Sequence, residues 1–407
     1  TRGTRSRAAI SSCTRACADD DHNGRVTTGL EIVFWWCAGL LVYTQAGYPL
    51  LLIALSRFKR RRTPAPPRDA GETPPSVSLI VAAYDEGAVI GAKVADALAL
   101  DYPREDLQVI VASDGSADGT VSEARRAGAD LVLDLPRGGK IRAQDTAVAH
   151  ARGELLAFSD ANSTWEAGAL RQLVAAFDDP SVGYACGQVR FVRDAGGGAT
   201  NQEGLYWRYE MALRALESRL GSITAGNGAI YAVRSESYIH VDPIMGHDLS
   251  FPFNMVKRGW RAVYVPEARA TEKMVPSIEG EFARKRRMMS HAWPIVVHGG
   301  LLSPRGYPPL YALMIVSHRV LRYVAPFVHV VLLAASAALA GEHPFYAIAL
   351  ALQLALLLAA LLAGAMPLRP LLVARYYVLT TASVAAGLWD WRRHGTPAAW
   401  EPADGTR

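Results

Sequence analysis

The stretch from Ile32 to Leu55, IVFWWCAGLLVYTQAGYPLLLIAL, carries no charge. At 1.5 Å per helical residue, about two dozen apolar residues reach across a hydrocarbon core roughly 30 Å thick. Lipid offers the backbone no hydrogen-bond partners, so such a segment has to be helical. It is too long for a signal-peptide core and lacks a small-residue cleavage site. Arg57, Lys59, Arg60, Arg61 and Arg62 follow it, a cluster of the kind kept on the cytosolic side. The pattern predicts a transmembrane helix over 29–55, behind a polar, aperiodic tail over 1–28 read as disordered.

Three more apolar stretches lie towards the C-terminus. Segments 324–340 and 344–365 are long enough to span, and Gly341, Glu342 and His343 make a tight turn between them. Segment 372–390 is interrupted by Arg375 and closed by Asp390, which predicts a tilted or incomplete crossing before a tail over 391–407. Segment 301–323 contains Pro304, Pro308 and Pro309 with Tyr307 and Tyr311, and reads as interfacial. The chain is basic, with a formal charge of +5. Many of the basic residues flank apolar spans, so membrane orientation explains them and no nucleic-acid partner is expected. Four scattered cysteines make no disulfide framework, and Cys13, Cys17 and His22 match no zinc spacing.

A basic, Pro-rich linker over 56–76 leads into a polar middle, 77–300, where strand-length apolar runs alternate with helical patterns. VSLIVAA at Val77, LQVIVAS at Leu107, ADLVLD at Ala129, ELLAFSD at Glu154 and VGYACGQV at Val182 read as strands buried on both faces. Helical stretches fall around Val89–Leu98, Thr120–Ala127, Ile141–Ala149 and Ala167–Phe177. Such alternation predicts an α/β fold with right-handed crossovers onto a mostly parallel sheet.

Ligands of open α/β sheets bind at the carboxyl ends of the strands. Here those ends read YDE (Tyr84 to Glu86), SDGSADGT (Ser113 to Thr120), RGGK (Arg137 to Lys140) and SDAN (Ser159 to Asn162). Acids and one lysine gathered there suit a ligand with ring, hydroxyl and phosphate groups. Taken singly each motif is ambiguous. DGSADG starts like a calcium loop, but its twelfth position is Arg125. RGGK lacks the upstream glycine of a P-loop and is followed by Ile141. Any one Asx residue at a strand end also serves as a turn former or helix cap.

Taken together, VSLIVAAYDEGAVI, VASDGSADGT, GGKIRAQDTAVAHARGELLAFSDAN and GHDLSFPFNMVKRGWRAVYVPEARATE resemble the ordered blocks of membrane-bound family 2 glycosyltransferases with the GT-A fold. That group includes the cellulose, hyaluronan and poly-N-acetylglucosamine synthases. The resemblance implies a Rossmann-like, mostly parallel cytosolic domain flanked by α-helical transmembrane segments in a cell or inner membrane. It implies that Tyr84 and Asp85 sit against the base of a uridine diphosphate sugar, that Asp114 bonds its base or ribose, and that Lys140 lies near the donor. Asp160 would hold Mg2+ or Mn2+ against the diphosphate, with Asn162 as a neutral neighbour where most relatives have a second Asp.

The same resemblance makes Asp248 the general base of an inverting displacement, which needs one proton acceptor opposite the leaving group. The alternative is that Asp248 caps a helix beginning at Leu249. Gly226 and Gly228, in ITAGNGAIYAVR, match the block where small residues admit the acceptor. EFARKRRMMSHAW occupies the place of a Q-x-x-R-W motif, with Arg284 for the glutamine, Arg287 for the arginine and Met288 for the tryptophan. Arg284 and Arg287 are three apart, so on a helix they share a face and suit a diphosphate; the alternative is a juxtamembrane basic patch.

The implied function is metal-dependent transfer of a sugar from a nucleotide sugar to a growing cell-envelope polysaccharide at the membrane, or a single addition to a lipid-linked acceptor. Membrane lipids are partners in both cases. A non-catalytic scaffold would keep the fold and lose site groups, whereas Asp114, Asp160, Asp248 and Arg287 are all present. The lack of G-x-G-x-x-G after the first strand argues against a dinucleotide-dependent oxidoreductase.

Overall fold

The computed structural model describes residues 25–58, 73–192, 202–273 and 277–398. Most of the tail, the linker core 59–72, the end of the C-terminal tail, and Cys13, Cys17 and His22 lie outside the described residues. The chain divides into two compact units, one of Thr1–Tyr48 and Leu321–Thr381, the other of Pro49–Val320 and Ala382–Arg407.

The second unit holds an eight-stranded sheet. Its strands are β1 (Val77–Ala83), β2 (Leu107–Asp114), β3 (Leu131–Leu135), β4 (Leu155–Asp160), β5 (Thr164–Trp165), β6 (Val182–Val192), β7 (Ile230–Arg234) and β8 (Arg261–Lys273). The spatial order is β3-β2-β1-β4-β7-β6-β8-β5. β3, β2, β1 and β4 are parallel, as the alternation predicts. Beyond β4 the sheet is mixed: β7 runs antiparallel to both β4 and β6, β8 is parallel to β6, and β5 is antiparallel to β8. Six of the eight strands therefore run in one direction, as the expected mostly parallel sheet requires, with β7 and β5 reversed.

Alternating residues of β1 build the two faces. Val77 and Leu79 pack with Ala97, Leu170 and Leu173, while Ile80 and Ala82 pack with Ala143, Phe158, Tyr231 and Phe251. The helices Ile90–Leu98 and Ala169–Ala175 thus cover one face; Lys140–Val148 and His247–Lys257 cover the other. Leu79, Ile80 and Phe158 are fully buried, each stabilising the fold by about 1.5–3 kcal/mol. The one polar side chain inside β1, Ser78, donates to Gln108 Oε1 at 2.7 Å and accepts from the Gly153 amide at 2.9 Å.

Register sets where the strands stop. Ala83 pairs with Ser113 and Ala82 with Asp160, so β1, β2 and β4 end level. Ser159 pairs with Ile230. The loop entering β7 therefore lies at the edge where β4 ends.

Four helices among the described residues are long and apolar enough to cross a membrane: Arg25–Phe58, Pro309–Leu339, Pro344–Leu362 and Arg369–His394. The first begins inside the segment read as disordered. Pro309, inside the segment read as interfacial, starts one of these helices, where its missing N–H is no loss. The last helix is longer than 372–390, since the Arg375 guanidinium donates to the Ala360 carbonyl at 3.2 Å and does not interrupt it. Within the first unit Phe34, Leu332, Ala335, Leu339 and Tyr346 form a buried cluster, with the Phe34 and Tyr346 rings edge to face at 4.9 Å. Leu352, Leu361 and Val330 are about two-thirds exposed, as a lipid-facing surface would have them.

Candidate active site

The loops after β1 and β2 are sewn together. Asp85 is the one non-glycine residue with positive φ among the described residues (49°), a conformation Asp tolerates better than most. It is held there from both ends: its amide donates to Ser116 Oγ at 3.1 Å, and its Oδ1 accepts from the Ala117 amide at 2.8 Å. The Gly87 amide donates to Asp118 Oδ2 at 2.9 Å. Asp85 thus shapes this corner through the backbone.

Asp114 is turned onto the protein. Its Oδ1 accepts from the Gly138 and Gly139 amides at 2.6 and 3.0 Å, and its Oδ2 accepts from Arg137 Nη1 at 3.1 Å. Buried at 1% exposure, it anchors the Arg137–Gly139 loop, where the resemblance implies a direct bond to base or ribose. Arg137, which motif reading passed over, lies with its guanidinium 3.1 Å from the centre of the Tyr84 ring, a cation–π contact on the face expected to meet the base.

The third cluster joins β4, the helix Lys140–Val148 and the loop before β7. Lys140 forms an ion pair with Asp160. A Cβ on Gly228 would stand 3.4 Å from Lys140 Nζ and 3.8 Å from Asp160 Oδ2, so these three expected residues come together. Burial pulls the Lys140 ammonium down, but Asp160, with Asp248 and Glu272, more than offsets it and leaves its pKa raised. Glu272, near the end of β8 and not singled out by motif, faces the same charges. Burial and then Asp160 push its pKa up to about 7, against the opposing pull of Arg284, Lys140 and Lys93.

Asp248 lies in the first turn of the helix His247–Lys257, whose N-cap is Gly246. The capping alternative therefore fails. The Asp248 carbonyl accepts from the Gly226 amide at 2.7 Å. Its neighbour His247 is buried, contacts the Tyr231 hydroxyl at 2.7 Å through Nδ1 and is driven down to about 3 by burial, so it is neutral. A Cβ on Gly226 would lie 1.9 Å from the Tyr184 hydroxyl, so packing alone already demands a glycine here.

The helix Ile278–Val297 starts at Ser277, whose Oγ accepts from the Gly280 amide at 3.0 Å. Arg284 is held by Glu281 through two contacts of 2.7 and 2.8 Å, and Arg286 by Asp390 through two of 2.6 Å. Acids thus balance the residues read alternatively as a basic patch. Arg287 is exposed on the same helix.

No three His, Cys, Asp or Glu side chains among the described residues stand close enough to hold a metal ion. The donors at the end of β4 are nevertheless hard oxygens, from Asp160 and Asn162, and the buried Glu272 Oε1 has no hydrogen-bond partner among the described residues. That chemistry fits Mg2+ or Mn2+.

A family model described as glycosyltransferase like family 2 matches residues 74–290. An N-acetylglucosaminyltransferase of Rhizobium sp. (strain N33) is 26% identical over 234 residues, covering 52% of this chain and 51% of that protein. A beta-monoglucosyldiacylglycerol synthase of Synechocystis sp. is 30% identical over 215 residues, covering 50% and 44%. The chain thus spans about half the length of the curated relatives it matches. Among solved structures, a mannosyltransferase from Pyrobaculum calidifontis in complex with GDP-Man and Mn2+ superposes with a TM-score of 0.65 at 24% identity, over 90% of this chain and all of that one. This likeness shows the fold.

Proposed function

Since the chain belongs to the glycosyltransferase like family 2, we propose that it transfers a sugar, with inversion, from a nucleotide sugar such as a UDP-sugar to an acceptor at the membrane. The observation that carries this reading is the convergence of Lys140, Asp160 and Gly228 at the level ends of the central strands, with Asp248 acting on the same lysine.

Each residue then has a task. Tyr84 and Arg137 offer a ring and a planar cation to a nucleotide base, and Asp85 and Asp114 fix the loops that present them. Lys140 supplies positive charge to the diphosphate, which departs as an anion, and Gly228 leaves space beside it. Asp160 and Asn162 would hold a divalent cation, which when bound neutralises charge developing on the leaving group. Asp248 takes the acceptor hydroxyl proton as the bond forms from the opposite side. Arg287, exposed one helical turn from Arg284, would meet the donor phosphates. In this reading 77–300 is the catalytic domain, on the cytosolic side with the basic cluster after the first helix.

Two acceptor classes fit: a growing cell-envelope polysaccharide and a lipid-linked acceptor. Met288 favours single addition to a lipid-linked acceptor. It is 47% exposed where a processive synthase has a tryptophan, and it offers no ring for a sugar to stack on. The relative named beta-monoglucosyldiacylglycerol synthase agrees with a lipid acceptor. Purified protein in detergent, given labelled UDP- and GDP-sugars with Mg2+ or Mn2+ and membrane lipids, should release nucleoside diphosphate and yield one labelled product. A ladder of products would instead support polysaccharide extension. Turnover with none of the donors would refute the reading.

A further inference from the structure

The site has an acid to which motif reading assigns no role. Glu272 is the penultimate residue of β8, and the preceding Thr271 pairs with Thr164, two positions after Asn162. The Thr271 hydroxyl donates to the Thr164 carbonyl at 3.4 Å. This short antiparallel pairing folds the turn following Asp160 back against the end of β8, so that a residue more than a hundred positions away is delivered beside SDAN.

We infer that Glu272 is the second carboxylate of the oxygen-donor set at the end of β4, joining Asp160 and Asn162 to take one hard divalent cation of the Mg2+ or Mn2+ class. The inference deepens the proposed transfer reading and rests on it. Three observations support it. Asn162 contributes only a neutral oxygen, whereas a small divalent ion is usually bound through carboxylates. Glu272 Oε1 is sealed from solvent and has no hydrogen-bond partner among the described residues, and a buried oxygen left so is costly unless a ligand satisfies it. Thr271, the neighbour of Glu272, pairs with Thr164, four positions after Asp160, which brings the two carboxylates to the same end of the sheet. A cation between them relieves their repulsion and leaves Lys140 for the donor phosphates. The competing role for Glu272 is to balance Arg284 and the two lysines; that role changes stability and leaves metal affinity alone.

Free Mn2+ is measured by electron paramagnetic resonance while the full chain in detergent is titrated with Mn2+ alone. The wild type should bind one ion, and Glu272→Gln should weaken binding at least about tenfold. Asp160→Asn should weaken it comparably, and Glu272→Asp should fall between. If Glu272→Gln binds as the wild type does while Asp160→Asn loses the ion, the assignment is overturned and the metal role of Asp160 stands. If the wild type takes up no Mn2+, the cation site itself is wrong, while turnover in the donor panel would still support transfer. Should Glu272→Gln fail to fold, Mn2+-soaked wild-type crystals decide: the anomalous peak belongs about 2.1 Å from a Glu272 carboxylate oxygen, and a peak remote from it overturns the assignment.

Discussion

Asp248→Asn is expected to lower the transfer rate about a thousandfold while donor affinity stays within about a factor of two. The amide keeps the volume and one acceptor oxygen of the carboxylate but cannot take up a proton. General-base contributions run from about a hundredfold to ten-thousandfold, so a thousandfold loss corresponds to about 4 kcal/mol of barrier. The side chain lies in the first turn of its helix and caps nothing, so the substitution removes no helix-ending bond. The backbone contact from the Gly226 amide to the Asp248 carbonyl is untouched by it. Steady-state rates alongside calorimetric titration with nucleoside diphosphate separate the two quantities. Equal losses in rate and donor binding would place Asp248 on the donor instead, and an unchanged rate would remove it from the chemistry.

Gly226→Ala should be among the most destabilising single changes, by about 2–4 kcal/mol. The added carbon would overlap the Tyr184 hydroxyl at 1.9 Å and its ring at 2.8 Å, and Tyr184 is fully buried and cannot withdraw. The loop cannot easily yield either, because the Gly226 amide is bonded to Asp248 and its carbonyl accepts from Arg214 at 2.9 Å. Two residues on, Gly228→Ala should behave in the opposite manner. Its new carbon would meet only the flexible tips of Lys140 and Asp160, at 3.4 and 3.8 Å, so folding should be nearly unaffected while donor turnover falls. Denaturant unfolding of both variants in detergent, paired with turnover, checks the contrast. Wild-type stability in Gly226→Ala would show that the loop is looser than its contacts imply.

The contrast between the two glycines also shows what was legible in the sequence. β1, β2 and β4 announce themselves because strands buried on both faces are unbroken apolar runs, and the acids that end them fall where ligands bind in such sheets. β8 carries Arg261, Glu267, Arg269, Glu272 and Lys273, and its buried positions are interrupted, so no apolar run marks it. Its pairing with β6 is a long-range fact, and Glu272 could be placed only once that pairing was known. β7 was concealed by the glycine-rich segment before it. Asp114 was recognisable as a site residue, but no spacing rule tells whether a carboxylate faces the ligand or the loop behind it. The long apolar helices were legible from length and charge, and two of them begin earlier than the apolar runs suggest, at Pro309 and at Arg369.

The most direct test of the convergence is a structure of the full chain with UDP and Mn2+. The diphosphate should lie among Lys140, Asp160 and Gly228, with the Asp248 carboxylate facing the open side where the sugar would be attacked. A nucleotide bound elsewhere in the chain, or a diphosphate with Asp248 on its own side of the sugar position, would contradict it.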